Sequence, residues 1–208
     1  DVTGVQTCAL PILLGGFFMT TAFVLGNGTS RKNIELPALR RWGKIYGCNA
    51  LYREFEPDVL VATDRPIAEQ IQHSGYALVH EFYTRRPVAG QGARTIPEDI
   101  WGHSSGPVAV NLAARNGNLR VYMIGFDMGP SATGLFNNVY ADTEFYKTSA
   151  ANPTYTGNWA RQIADTAKKF SQVEFVRVQG ATTAEVPQFK KIPNIKNMAI
   201  QEFQELYK

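Results

Sequence analysis

The sequence predicts a single α/β domain built on a doubly wound, mostly parallel sheet. Short β-branched and aromatic runs alternate with helix-like segments, the pattern of strands joined by helical crossovers. The first run ends in Gly26-Asn27-Gly28-Thr29-Ser30, a small-residue turn leading towards a helical segment. A strand that feeds such a turn offers bare backbone N–H groups to a phosphate, so the first functional expectation is a nucleotide.

Strands are expected over 21–25, 44–47, 58–63, 77–82, 120–126 and 173–178, and helices over 35–42, 65–74, 105–116 and 158–171. In the last of these, Ile163, Ala164, Ala167 and Phe170 recur at helical spacing and form one apolar stripe. Two segments rich in Gly, Pro, Ser, Thr and Asn, 83–103 and 128–157, are long for connectors and follow strand ends, where loops that cover a ligand are carried. Asn194 is expected to cap a C-terminal amphipathic helix with Ile195, Met198, Ala199, Phe203 and Leu206 on its apolar face, packed on the domain or on a second subunit of a homo-oligomer.

Residues 2–12 read as a translated sequencing adapter, and Gly15-Gly16 before Met19 reads as a translated ribosome-binding site. The expected organisation is a non-native leader over 1–18, a nucleotide-binding domain over 19–180 and a C-terminal extension over 181–208, from a bacterial or viral chain recovered by metagenomic sequencing. The formal charge of +3 is spread along the chain, which suits a small anionic ligand better than a nucleic acid. Of the two cysteines, Cys8 falls in the expected leader, leaving Cys48 without a disulfide partner or a cysteine metal site, as in a cytoplasmic protein. No run after Met19 reaches the roughly 20 apolar residues of a membrane span.

Three further polar groups close expected strands: Asn49, Asp64 and Asp127. A sheet that sets them beside Gly26, Asn27, Gly28, Thr29 and Ser30 gathers a nucleotide site on one edge. Ser104, Ser105 and Gly106 open a helix, so a serine can cap it while its free amides meet an anion. Arg85 and Arg86, in the first long loop, are candidate phosphate clamps. His103 and Asp127 are candidate general bases.

The order G-N-G-T-S-x-x-x-I, then C-N, S-S-G before a small-residue helix, and Y-M-I-G-F-D resembles the bacterial sialyltransferases that finish lipooligosaccharides, and the related pterin diphosphokinase-like nucleotide-binding proteins. The resemblance implies a Rossmann-like fold, with Asn27, Ser30, Asn49, Ser105 and Gly106 around the nucleotide. It implies a glycosyltransferase-like enzyme acting on a nucleotide-sugar. The segments 56–64 and 125–129 look more like the diphosphokinase side, which implies magnesium. A non-catalytic nucleotide-sequestering protein, of viral or other origin, is the other alternative. Against the sialyltransferase pattern, Asn158 stands where the family has a histidine base and Gly129 where it has the tyrosine that binds the leaving phosphate, a role the resemblance passes to Tyr140 as a catalytic candidate; against the diphosphokinase pattern, Arg65-Pro66 replaces a second aspartate.

Overall fold

The computed structural model describes residues 20–208; the expected leader over 1–18 lies outside the described residues. Among the described residues the strands are β1 (Thr21–Leu25), β2 (Lys44–Cys48), β3 (Val59–Ala62), β4 (Phe82–Thr84), β5 (Arg94–Thr95), β6 (Arg120–Ile124), β7 (Glu174–Gln179) and β8 (Ile195–Ala199). They form one 8-stranded sheet in the order β5-β4-β3-β2-β1-β6-β7-β8. Every pairing is parallel, so the expected mostly parallel sheet is wholly so. The chain builds outward from β1 on one side, then returns to place β6 on its other side. This reversal opens a crevice between the carboxyl ends of β1 and β6.

The period-2 alternation of β1 sends Ala22 and Val24 into one core and Phe23 and Leu25 into the other. The first core is closed by α3 (Ser105–Arg115) and α4 (Gly157–Lys169), the second by α1 (Arg65–His73), α2 (Tyr76–Val79) and α5 (Ile200–Leu206). Small residues let α3 lie close on the sheet centre, and everything from Pro107 to Ala114 is buried. No helix among the described residues is long and apolar enough to cross a membrane.

Several expectations need correction. The run over 77–82 is not a strand: Gly75, at φ 78, ends α1 in the left-handed region, and the chain makes one more helical turn, α2, before β4 begins at Phe82. The helix expected over 35–42 is a 3-10 turn, Leu36–Arg41, and the segment after the glycine turn is another, Thr29–Asn33. The first long loop contains β5 and a 3-10 turn, whereas the second, over 128–156, has only turns and bends.

Asn194 does not cap a helix. Its Nδ2 donates to the carbonyls of Ala167, Phe170 and Val173 at 2.9, 3.1 and 2.8 Å, satisfying the C-terminal end of α4. Ile195–Ala199 then extends the sheet beside β7, and the helix starts only at Ile200. Phe203 is buried against Phe23 and Tyr122, so the 181–208 extension is built into the same sheet and core. Asn194→Ala should cost about 1–3 kcal/mol, because it strips carbonyls of a donor, and a lowered urea midpoint with unchanged slope is the expected result.

Candidate functional site

A cavity of about 380 Å³ lies at the carboxyl ends of β1 and β6. Of the residues expected to hold a nucleotide, Gly26, Asn27, Gly28, Asn49, Asp64, Ser104, Ser105 and Gly106 line it, whereas Thr29 and Ser30 do not. The backbones of the two strand ends touch: a Cβ on Gly26 would stand 2.6 Å from the Gly125 carbonyl oxygen, and Gly125 itself is at φ 72.

Most amides of the glycine turn are committed rather than bare, and the Asn27 N–H alone among them has no acceptor among the described residues. Gly26 N–H donates to Ile124 O at 2.7 Å and Gly28 N–H to Gly125 O at 2.8 Å. Thr29 N–H donates to Asn137 Oδ1 at 2.9 Å and Ser30 N–H to Asp127 Oδ2 at 3.1 Å. The turn spends these donors on holding β1, β6 and the 128–156 segment together. Gly28 is required here because a Cβ would stand 2.4 Å from the Asp127 carboxyl carbon.

Further uncommitted amides lie at the start of α3. Ser104 occupies the N-cap position but makes no side-chain cap, and its N–H donates to Gln162 Oε1 at 2.9 Å. The N–H groups of Ser105 and Gly106 have no acceptor among the described residues, as the first turn of a helix leaves them. The Ser105 hydroxyl is saturated: it accepts from Thr63 N–H and the Thr63 hydroxyl, each at 3.0 Å, and donates to Asn49 Oδ1 at 2.9 Å. It pins the ends of β2 and β3 to α3 and leaves the Asn49 NH₂ group as a donor at the cavity. Asn49 holds φ 53, a left-handed conformation that asparagine tolerates better than most residues.

The three catalytic candidates fall in different places. Asp127 lines the cavity, but its carboxylate is 3 % exposed and accepts from Ser30 N–H, the Ser30 hydroxyl, Asn137 Nδ2 at 3.0 Å, Thr182 Oγ1 at 2.6 Å and Thr183 Oγ1 at 3.5 Å. It is a bracket, with no lone pair left for a substrate proton. Tyr140 sits behind the cavity, donating to Glu54 at 2.5 Å and accepting from buried Arg31 at 2.8 Å, and burial pushes its pKa far up. His103 is outside the lining; its Nδ1 is buried without a partner among the described residues, and burial, helped by the charge of Arg161, lowers its pKa.

Arg85 and Arg86 are not on this cavity either. They border a second concavity of about 180 Å³, which shares Asp64 with the first. The family's tyrosine position, Gly129, lines the cavity with no room for a ring, since even a Cβ would stand 2.5 Å from the Ala184 Cβ. Asn158 is exposed on α4, and its neighbour Trp159 is the one that reaches the cavity.

Sequence reasoning marks the 128–157 loop as one that covers a ligand without fixing which of its residues reach the cavity, among them Phe136, Asn137, Phe145, Tyr146 and Lys147. Their signal was present only as a polar loop with interspersed aromatics. Nor does it find Arg177, 1 % exposed, whose guanidinium donates to the carbonyls of Phe126, Asp127 and Ala184 at 2.8–3.0 Å. A lone cation inside the apolar run Glu174–Gln179 was the clue. Burial lowers its pKa to about 10.

Among the described residues no three His, Cys, Asp or Glu side chains form a metal-holding group. The cavity's carboxylates are saturated Asp127 and single Asp64, a donor set that does not fit the magnesium of a diphosphokinase.

An all-parallel sheet with its cavity at the order reversal defines a Rossmann-like α/β protein. Among solved structures the chain is similar to a monofunctional α-2,3-sialyltransferase, Cst-I, from Campylobacter jejuni: TM-score 0.53 and 12% identity, over 76% of this chain and 75% of that one. At that identity the likeness is one of fold. No protein-family model matches the chain, and no curated protein matches it in sequence.

Burial works to raise the Glu54 pKa, but the hydrogen bonds from Tyr140 and Arg31 and the Arg31 charge outweigh it, holding the carboxyl below the usual glutamate value. A pKa lowered on folding contributes stability that is present above the unfolded value, about 4.3, and is lost as pH falls through the folded value. Glu54→Gln should therefore be less stable than the parent at pH 7, and the difference should shrink as denaturation is measured towards pH 3.

Proposed function

We propose that the cavity binds a nucleotide or nucleotide-sugar and that the protein is a glycosyltransferase-like enzyme. The observation that carries this reading is the pair of uncommitted amides, Ser105 and Gly106, opening α3 onto a cavity whose one lining cation among the described residues is Lys147. The positive end of a helix and a nearby ammonium suit a phosphate. Lys147 is held loosely by Thr154 at 3.5 Å and over the Phe136 ring at 5.8 Å. Phe136, Phe145, Tyr146 and Trp159 offer apolar faces to a base, with the Asn49 amide nearby for polar recognition.

In glycosyl transfer the bond between the anomeric carbon and the phosphate oxygen breaks, and negative charge grows on that oxygen. Fixed N–H donors and a cation placed there stabilise the charge without reorganising, which is where such sites gain most of their rate. The fold likeness to a sialyltransferase supports the same broad class. Asp127, Ser30, Thr29 and Tyr140 are given scaffold roles in this reading.

A second reading, a nucleotide binder without turnover, is favoured by Asn158 standing in place of the family's histidine and by the committed state of Asp127 and Tyr140. Calorimetric titration with nucleoside monophosphates, nucleosides and nucleotide-sugars separates the possibilities. A nucleotide should bind at least ~10-fold tighter than its nucleoside, and Lys147→Gln should remove about 1 kcal/mol of that difference, a modest figure because the side chain is exposed. Release of free nucleotide from a nucleotide-sugar supports the transferase, tight binding without release supports the second reading, and equal affinity for nucleoside and nucleotide overturns both.

A further inference from the structure

The second concavity adjoins the first across a single shared side chain, Asp64. Asp64 is exposed at the N-cap of α1, yet its carboxylate makes no cap hydrogen bond, and no other contact engages it among the described residues. Two exposed groups form the far rim: Trp101, 44% exposed, and Arg86, whose guanidinium has no partner among the described residues. Arg65, on the same concavity, is neutralised by Glu69 at 2.7 Å, which leaves Arg86 as the free cation.

Both rim residues are fixed from behind. Gln72 is fully buried; it accepts from Val88 N–H at 2.7 Å and donates to the carbonyls of Ala68 at 3.1 Å and Arg86 at 3.4 Å. Arg85 donates to the carbonyls of Trp101 and His103, each at 2.8 Å, and to that of Thr63 at 3.5 Å, while Trp101 Nε1–H returns to Arg85 O at 3.4 Å. Arg85, expected to clamp a phosphate, therefore spends its guanidinium on backbone carbonyls and lies over the indole ring, 5.7 Å from its centroid. A fixed exposed indole flanked by polar groups is chemistry for a sugar ring, whose C–H face packs on the aromatic while its hydroxyls find donors and acceptors. The unpaired guanidinium adds selectivity for an anion.

We propose that this concavity is the acceptor subsite of the transferase and takes an anionic hexose, with Asp64 accepting the proton of the attacking hydroxyl; the acceptor role rests on the transferase reading above. The acceptor O–H proton passes to the Asp64 carboxylate as the acceptor oxygen bonds the anomeric carbon. The anomeric bond to phosphate breaks with its electron pair, and the nucleoside phosphate leaves from the α3 side. A carboxylate on the seam of both subsites can touch the nucleophile without lying against the leaving group.

The test follows the Trp101 indole N–H resonance of ¹⁵N-labelled protein during titration with D-galacturonate, D-galactose 6-phosphate and D-galactose, with and without nucleoside monophosphates. The charged sugars should shift that resonance and bind ~10-fold tighter than galactose, and the tighter of the two identifies carboxylate or phosphate as the recognised anion. Arg86→Gln should erase the charged-over-neutral preference, and Trp101→Ala, at an exposed position, should lose the binding of all three. In transfer assays Asp64→Asn should lower kcat about 100-fold, with the KM for sugar little changed. An unmoved Trp101 resonance, or equal affinity for charged and neutral sugars, overturns the subsite while nucleotide binding stands. Sugar binding in a protein that takes no nucleotide overturns the acceptor role together with the transferase reading.

Discussion

The carboxylate of Asp127 is the constraint on which the site is built. It is a buried anion at the end of β6, and a charge in that position persists only when its lone pairs are filled. The donors come from three distant stretches: Ser30 after β1, Asn137 in the 128–156 segment, and Thr182 and Thr183 after β7. Satisfying one carboxylate thus draws three loops to the same point of the sheet edge. Gly28 has no side chain because the carboxylate occupies that space, and Arg177 grips the adjoining carbonyls of Phe126 and Asp127 from the other side. The crevice that reversed strand order would leave open in any doubly wound sheet is here given a fixed rim.

That rim explains a division of labour among hydrogen-bond donors. An amide already paired inside the protein has little to offer an anion, because binding would exchange one acceptor for another. Four of the five amides of the glycine turn are in that state, whereas the first turn of α3 is not, since Ser104 caps with its backbone alone. The Ser105 hydroxyl works in the same scheme: by filling its own valences on Thr63 and Asn49, it fixes the helix start against β2 and β3. The open donors are held by residues whose side chains are themselves fully used, which is how a site is preorganised.

The parts legible in the sequence are those governed by local periodicity. The alternation in 21–25 and the apolar runs at 120–126 and 173–178 mark strands wherever they sit, and the Ile163-Ala164-Ala167 stripe marks α4. The run over 77–82 misleads because Tyr76-Ala77-Leu78-Val79 has strand composition, yet Gly75 turns it onto α1 and leaves Leu78 and Val79 exposed. Asn194 misleads for a different reason: its best use, three carbonyls at the end of α4, lies 21 to 27 residues away, which no cap rule detects. At the site, residues such as Asn49, Asp64 and Ser105 are legible because strand ends converge by topology. Lys147, Tyr146 and Phe136 are not, because a segment without secondary structure carries no period from which its placement follows.

The likeness to a sialyltransferase fold has a physical limit that the packing makes explicit. Sheet order, the reversal at β1 and β6 and the helix against the central strands follow from burying apolar faces, so they persist through almost complete change of sequence. Catalytic side chains have no such protection. At position 129 a side chain of any size meets Ala184, whose N–H is itself bound to Asp127 O at 2.8 Å, so the tyrosine of the resembling family is excluded by the same bracket that builds the rim. At position 158 the chain faces solvent and only Trp159 turns inward. Any proton transfer in this protein has to be arranged from groups the family pattern does not name. Among the cavity's carboxylates in the described residues, Asp64 alone has unfilled lone pairs, and its place on the wall between two concavities is set by β3 and α1, the rigid elements that meet there.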